Sequence, residues 1–176
     1  MITVKVKSKK SDLKELASLP KEVRLAVLNA KRYAVSELKK LAITETVQKY
    51  YLTKGAIRKA MHDTPSGFKV SSERLTLDKY KLAPKAPRKK YTLMGAVKRD
   101  SGLKPLGKNA FLMRLGGAWK PVARLTRRRY PLKVITGPSI AQAVGNDDTG
   151  EILQARAEEL FSQKLNEALT RLGVKK

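Results

Sequence analysis

Hydrophobic residues recur at helical spacing in two long stretches of the chain. The first stripe contains Val23, Val27, Ala30, Ala34, Leu38 and Leu41. The second contains Leu153, Ala157, Leu160, Phe161, Leu165, Ala168 and Leu172. Steps of three and four residues place such side chains on one face of an α-helix. We therefore predict a helical region over residues 20–61, with a break between Thr44 and Tyr51, and a C-terminal helix over residues 147–172.

Residues with strong positional preferences mark the predicted helix ends. Pro20 suits the first turn of the first helix, and Thr53 is suited to cap a second short helix that continues to Met61. Asp147, Asp148 or Thr149 is expected to cap the last helix, and Gly173 is placed to terminate it.

The segment between the helical regions alternates in places between apolar and polar residues, which is typical of β-strands. Within residues 66–136 we predict strands in "GFKVSSERLTLDKYKL", "KYTLMGAVKRD", "AFLMRL" and "WKPVARLTRRRYPLKVIT", and residues 2–6 form a further candidate. The segment "APKAPRKK" is predicted to be a loop. Closely spaced strands favour antiparallel pairing. The predicted fold is a single α+β domain over residues 1–176, a mainly antiparallel sheet covered by the long N-terminal and C-terminal helices.

A proline and glycine signal separates the strand region from the C-terminal helix. Pro131 divides the last strand candidates, and Gly137, Pro138 and Ser139 are predicted to stop the last strand and open the short helix "SIAQAV". If Gly137 has a positive φ, Gly137→Val is expected to destabilise the protein.

The residues suited to catalysis are few. The 176 residues include no cysteine and one histidine, which excludes disulfides, thiolate metal sites and multi-histidine metal sites. His62 precedes Asp63, but sequence neighbours rarely share a productive geometry, so we interpret it as a solvated turn histidine. We interpret Asp147, Asp148 and Glu151 as helix-start residues rather than a cation site. We expect no catalytic, cofactor or metal site, and no enzyme.

Positive charge is concentrated in the middle of the chain. The formal net charge is +24, and residues 79–133 hold 17 basic side chains against one acidic side chain, Asp100. One interpretation is a surface that faces a polyanion, and the other is a set of solvated strand edges and loops. The strong imbalance favours the first interpretation, with contact to a phosphate backbone rather than sequence-specific recognition. The candidates are Arg88, Lys89, Lys90, Arg124, Arg127, Arg128 and Arg129.

Four aromatic residues lie among these bases, and they allow two interpretations. They are Tyr80, Tyr91, Trp119 and Tyr130. Such side chains stack on nucleic-acid bases in some proteins, but strand aromatics more often pack across strands.

No apolar run reaches the roughly 20 residues of a membrane helix, and "MITVKVKSKK" lacks the apolar region of a signal peptide. We therefore expect synthesis in the cytoplasm and no membrane partner.

Three stretches, in their order and spacing, resemble one known family. They are "EVRLAVLNAKRYAVSELKKLAITETVQKYYLTKGAIRKAM", "NAFLMRL" followed by a glycine pair, and "YPLKVITGPSIAQAV" with arginines just before it. Together they resemble the bacteriophage minor tail protein Z family, the tail-completion proteins of long-tailed phages. The resemblance spans residues 20–172.

The resemblance implies a structural protein of the virion without chemistry of its own. Such a protein acts late in tail assembly, at the head-proximal end of the tail, as part of a ring around the DNA channel. The implied partners are other tail and connector proteins, further copies of the same chain, and DNA in the channel. The implied location is the virion, after assembly in the host cytoplasm. The alternative from the residues alone is a free basic nucleic-acid-binding protein without sequence specificity.

Overall fold

A computed structural model describes residues 2–5, 20–65 and 67–173 of the chain. In these ranges there are four α-helices: α1 (Lys21–Lys49), α2 (Lys54–Ala60), α3 (Ile140–Val144) and α4 (Asp147–Arg171). Both long predicted helices and the short helix after Ser139 are confirmed. Thr53 caps α2 as predicted, because its side chain accepts a hydrogen bond from the Ala56 amide at 3.3 Å.

Eleven strands occur in the described ranges, and they form four small antiparallel sheets. The strands are β1 (Ile2–Lys5), β2 (Met61–Thr64), β3 (Gly67–Val70), β4 (Arg74–Thr76), β5 (Lys81–Ala83), β6 (Met94–Ala96), β7 (Lys104–Pro105), β8 (Ala110–Leu115), β9 (Ala118–Arg124), β10 (Leu132–Val134) and β11 (Thr136–Ser139). The strand orders are β1-β3-β2, β10-β9-β8, β11-β4 and β5-β6-β7.

The α+β class, the antiparallel pairing and the two long helices are confirmed. The strands are divided among four sheets because most of them are only two to four residues long and are separated by proline and glycine segments. Residues 84–90 form no helix or strand, as predicted for "APKAPRKK". Strand β8 coincides with the predicted "AFLMRL" and turns at Gly116 and Gly117, whose φ angles are +59° and +80°. Of the strand predicted over residues 2–6, residue 6 lies outside the described residues.

The break predicted between Thr44 and Tyr51 is present at the end of that interval: α1 continues past Thr44 to Lys49, and α2 begins at Lys54. The buried face of α1 contains alanines at steps of four and then Ala42, Ile43 and Thr46. Thr46 is fully buried, and its hydroxyl donates to the Ala42 carbonyl at 2.7 Å. A threonine whose hydroxyl bonds to its own helix in this way tolerates burial, so the polar residue does not interrupt the stripe. The alanine face packs against α4, which is the most extensive contact between elements.

One continuous cluster of buried residues joins the helices to the strands. Phe68 and Val70 of β3 are fully buried, and they share the cluster with Leu38 of α1, Ile57 of α2 and Leu153 of α4. Packing of this density fixes the elements that carry the surface loops.

Helix α4 begins at Asp147 as predicted, but its N-cap lies one residue before the first predicted candidate. Asn146, not Asp147, Asp148 or Thr149, occupies the N-cap position. Thr149 is fully buried, and its hydroxyl oxygen accepts a hydrogen bond from Lys49 at 3.3 Å. The Thr149 side chain therefore contacts the end of α1 and does not cap α4, although its residue type is suited to a cap. At the other end, Gly173 has a φ of +70° just beyond the helix, as predicted for its terminator.

Candidate polyanion-binding surface

The first group of predicted cations lies in the irregular segment between β5 and β6. Arg88, Lys89 and Lys90 are all exposed there. Tyr91 follows immediately, and its hydroxyl oxygen accepts a hydrogen bond at 3.0 Å from the backbone amide of Leu112 in β8. Strand β8 lies at the edge of its sheet, so this bond attaches the basic segment to a sheet edge. The sequence therefore places these three cations beside β8 through a tyrosine anchor.

The second group lies in the loop that connects β9 to β10, residues 125–131, which we name the arginine loop. The Leu125 amide donates to the Pro131 carbonyl at 3.2 Å, and the Thr126 hydroxyl donates to the Tyr130 carbonyl at 3.4 Å. The Thr126 hydroxyl oxygen also accepts from the Arg128 amide at 3.3 Å. These bonds close the loop on itself, so its arginines project from a defined turn at the end of a β-hairpin.

The arginine loop exposes apolar groups as well as charge. Arg127, Arg128 and Arg129 are exposed, and Leu125 and Tyr130 are 59% and 63% exposed. The Arg129 guanidinium lies 5.8 Å from the centroid of the Tyr130 ring. Arginine, leucine and tyrosine are thus presented together to solvent.

Arg124, just before the loop, is exposed but also packs against the protein. Its guanidinium lies 5.2 Å from the centroid of the Phe111 ring in the neighbouring strand β8. Its backbone amide donates to the Asn109 carbonyl at 3.2 Å. Arg124 therefore combines a contact within the sheet with a charge at its surface.

The predicted cations have no carboxylate partner among the described residues. The ion pairs found there involve other bases, for example Lys39 with Asp63 and Lys49 with Asp148. Of the 17 bases in residues 79–133, only Lys79 belongs to one of these pairs, with Asp78 at 3.6 Å. Within the part of the chain that the structure describes, no carboxylate balances the positive charge of either group.

Three bases of the same segment have a structural role that the sequence analysis did not anticipate. Lys81 and Arg99 lie 5.0 and 4.9 Å from the centroid of the Tyr51 ring, and Lys98 lies 6.0 Å from that of Tyr50. The Arg99 guanidinium also donates to the Val47 carbonyl at 2.8 Å. Positive charge at the C-terminus of α1 complements the helix dipole. In the sequence, two adjacent tyrosines directly after α1, Tyr50 and Tyr51, were the feature that could have predicted this contact.

The residues predicted as a structural turn do not form one turn: Pro131 lies in the arginine loop, and the other three lie in β11. Pro131 ends the arginine loop, and the peptide bond between Tyr130 and Pro131 is cis. Gly137 and Pro138 lie within β11, so the strand continues to Ser139 and does not stop at Gly137. Ser139 caps α3 in a reciprocal arrangement with Gln142, with hydrogen bonds of 3.1 and 2.9 Å.

Gly137 has no positive φ, so the predicted reason for a glycine there is wrong. A Cβ atom at this position would lie 2.7 Å from Cε2 of Tyr80. The Tyr80 hydroxyl donates to the Pro138 carbonyl at 2.6 Å, which holds the ring over the glycine. Gly137 is therefore needed for the close approach of a buried tyrosine.

The predicted acidic and histidine groups form no cluster suited to chemistry. His62 is exposed, but it lies in β2 and not in a turn. Its neighbour Asp63 pairs with Lys39, and adjacent strand residues point to opposite faces. In the described part of the chain, no group of three or more histidine, cysteine or acidic side chains is arranged to hold a metal ion.

Two surface grooves flank α1, and neither is lined by the predicted cations. One, of about 560 Å³, lies between α1 and the β2–β3 turn, and the other, of about 580 Å³, lies between α1 and α4. Among the helices that the structure describes, none has the length and apolar character of a membrane span. Comparison of the chain with protein-family models, curated proteins and solved structures finds no match.

Proposed function

We propose that this chain is a phage virion structural protein, a minor tail or tail-completion protein at the head–tail junction. Its copies form part of a ring around the DNA channel. The proposal rests on the resemblance of three ordered stretches to the minor tail protein Z family. It is supported by one structural observation: seven exposed cations, six on two loop regions and Arg124 at the end of β9, have no carboxylate partner among the described residues.

In this proposal the packed core is a scaffold and the loops make the contacts. The elements around Phe68 and Leu38 hold the two basic groups in place. Arg88–Lys90 and the arginine loop then face a polyanion, either DNA in the channel or an acidic tail or connector protein. Contacts of this kind need electrostatic attraction and no reaction, so the proposal includes neither a cofactor nor an enzymatic activity.

The net charge of +24 opposes the association of copies, and a negative partner favours it. Copies with this charge repel one another at long range, and salt screens the repulsion beyond about 8 Å at physiological ionic strength. A negatively charged channel or connector offsets the remaining repulsion. The protein is accordingly expected at the head-proximal end of the tail in virions, and in the host cytoplasm during assembly.

The double variant Arg127→Glu with Arg129→Glu tests the proposal. Both side chains are exposed and unpaired among the described residues, so the fold should be retained while head–tail joining is lost. Lys104→Glu with Lys108→Glu is the matched control, because it changes the charge equally at exposed bases outside the candidate set. The measurements are circular dichroism, plaque yield, and electron microscopy of free heads and tails. A normal plaque yield from the loop variant would overturn the assigned role of these arginines.

Mass spectrometry of purified virions distinguishes the proposal from a free basic nucleic-acid-binding protein. The proposal predicts the chain in washed particles at a fixed number of copies per tail. Absence from particles, together with tight binding to free DNA or RNA, would favour the free protein and reject the virion role.

A further inference from the structure

Helix α4 gathers most of the acidic side chains of its half of the chain on one exposed face. Residues 147–159 contain five acidic side chains and one basic side chain, Arg156. Asp148, Glu151, Glu158 and Glu159 are all exposed. Glu151, Glu158 and Glu159 follow Asp148 by three, ten and eleven residues, which brings all four to the same side of the helix, opposite the stripe buried against α1. We name these four residues with Ile152 the acidic face.

The acidic face has an apolar residue among its charges. Ile152 is 42% exposed and lies one turn after Asp148 and two turns before Glu159. Glu151 and Glu158 form no ion pair among the described residues, whereas Asp148 lies 3.8 Å from Lys49, and Glu159 pairs with its own neighbour on the helix. The acidic face is therefore exposed and only partly neutralised by the bases that the structure describes.

The arginine loop has the complementary composition. Residues 124–133 contain five basic and no acidic side chains, and the loop exposes Leu125 and Tyr130 beside its arginines. A phosphate backbone requires the cations but not an exposed leucine. Protein interfaces combine apolar residues at the centre with charges at the rim, and they are enriched in arginine and tyrosine. The exposed side chains of this loop therefore favour a protein surface that is acidic and contains an apolar residue.

We propose that the arginine loop of one copy docks on the acidic face of α4 in a second copy. Leu125 and Tyr130 meet Ile152, and the arginines meet Glu151 and Glu158. Two different surfaces make this contact, so each copy can bind one neighbour through its loop and another through its helix. Repetition of such a contact closes a ring when a whole number of identical rotations between copies completes one full turn, and it gives an open filament otherwise. The inference deepens the proposed ring and rests on it: the arginine loop is then used between copies, and Arg88–Lys90 remain to face the DNA or an acidic tail or connector protein.

Charge-swapped variants test the contact directly. One variant carries Arg127→Glu with Arg129→Glu, and the other carries Glu151→Arg with Glu158→Arg. Sedimentation velocity at physiological ionic strength, where repulsion between copies is screened beyond about 8 Å, should show concentration-dependent assembly of the unmodified protein. Each variant alone should associate at least about tenfold more weakly, because like charges then face each other across the contact. An equimolar mixture of the two should regain association, since every loop then meets a helix of opposite charge.

Two further variants separate specific docking from general charge effects. Lys104→Glu with Lys108→Glu has the same net charge as the loop variant and should leave self-association unchanged. Leu125→Ser should weaken association at both low and high salt, because its contribution is apolar and is not screened. Circular dichroism should give the same spectrum for all variants, so that a loss of assembly is not a loss of fold.

Several results would overturn the inference. They are an unmodified protein that stays monomeric at all concentrations, a mixture that does not regain association, or a control that disrupts assembly equally. The loop would be assigned to DNA binding if the charge-reversed variant Arg127→Glu with Arg129→Glu no longer bound a 20-base-pair duplex but still self-associated. These assays use the purified protein, whereas mass spectrometry of virions tests the proposed function. A chain present in virions but monomeric alone would reject the contact and leave the function standing.

Discussion

Replacement of Gly137 by alanine tests the close approach of the Tyr80 ring to this glycine. The added Cβ atom would lie 2.7 Å from Cε2, 3.2 Å from Cδ2 and 3.3 Å from Cζ of Tyr80. The ring has little freedom to move, because Tyr80 is 8% exposed and its hydroxyl donates to the Pro138 carbonyl. Either the ring or strand β11 must shift to accommodate the methyl group.

The expected loss follows from three contributions. Overpacking in a close-packed site costs about 1–3 kcal/mol. A shift of the ring that breaks its hydrogen bond costs about 1 kcal/mol. Alanine recovers about 0.5–1 kcal/mol of backbone entropy relative to glycine in a strand. We therefore expect Gly137→Ala to lower the free energy of unfolding by about 1–3 kcal/mol, and Gly137→Val to lower it further.

Urea denaturation followed by circular dichroism measures this change. Gly150→Ala is the matched control, because Gly150 lies in α4 and a Cβ atom there would have no neighbour within 4 Å. That change should raise the free energy of unfolding by about 0.5–1 kcal/mol, the helix preference of alanine over glycine. Tyr80→Leu removes the ring, so the double variant with Gly137→Ala should lose less than the sum of the single changes.

The opposite result would refute the reasoning. If Gly137→Ala is as stable as the original protein or gains stability as Gly150→Ala does, the approach of Tyr80 does not require a glycine. Additive losses in the Gly137 and Tyr80 double variant would likewise show that the two residues do not contact each other.

Three further predictions concern contacts around the same core. Burial, with a smaller contribution from Tyr50, raises the pKa of Tyr80 from 10.0 to about 12. The unfolded chain therefore loses this proton at a lower pH than the folded chain does. The contribution of Tyr80 to the free energy of unfolding is complete below pH 10 and is lost as the pH rises from 10 towards 12. Urea titrations at several pH values should show this decrease, and Tyr80→Phe should remove the part of it that comes from Tyr80. Arg99→Ala should lower the free energy of unfolding by about 1–2 kcal/mol through loss of the bond to the C-terminus of α1, and an unchanged urea midpoint would contradict this role. Ser139→Ala should cost about 0.5–2 kcal/mol by removing the cap of α3, and equal stability would show that the reciprocal cap is unimportant.

Local patterns predicted the elements whose surroundings agree with their sequence. Thr53 caps α2, the strand "AFLMRL" is β8, and Gly173 follows α4, because each depends on backbone preferences within a few residues. The break predicted between Thr44 and Tyr51 occurs after Lys49, near the end of that interval. The helix extends past Thr44 because Thr46 remains on its buried face, with its hydroxyl bonded to the carbonyl of Ala42. The division of the strands into four sheets depends on long-range pairing, which local alternation does not specify.

The excess of basic over acidic residues identified all the candidate cations, and all of them lie on the surface. The contacts that hold their segments in place were not predicted. Tyr91 attaches Arg88–Lys90 to the edge of β8 through the Leu112 amide, a contact over 21 residues. The role of Arg99 at the end of α1 was missed because it joins residues 52 positions apart. A count of bases does not distinguish charges that support the fold from charges that await a partner.

By itself the sequence determined the class of fold, the two long helices and the concentration of positive charge, because these follow from composition and short-range periodicity. Tertiary structure alone decided why Gly137 is a glycine, which bases dock on the tyrosines after α1, and which cations have no carboxylate partner within the described ranges. Such contacts join residues far apart in the chain, and their energies depend on distances that exist only after the core has packed.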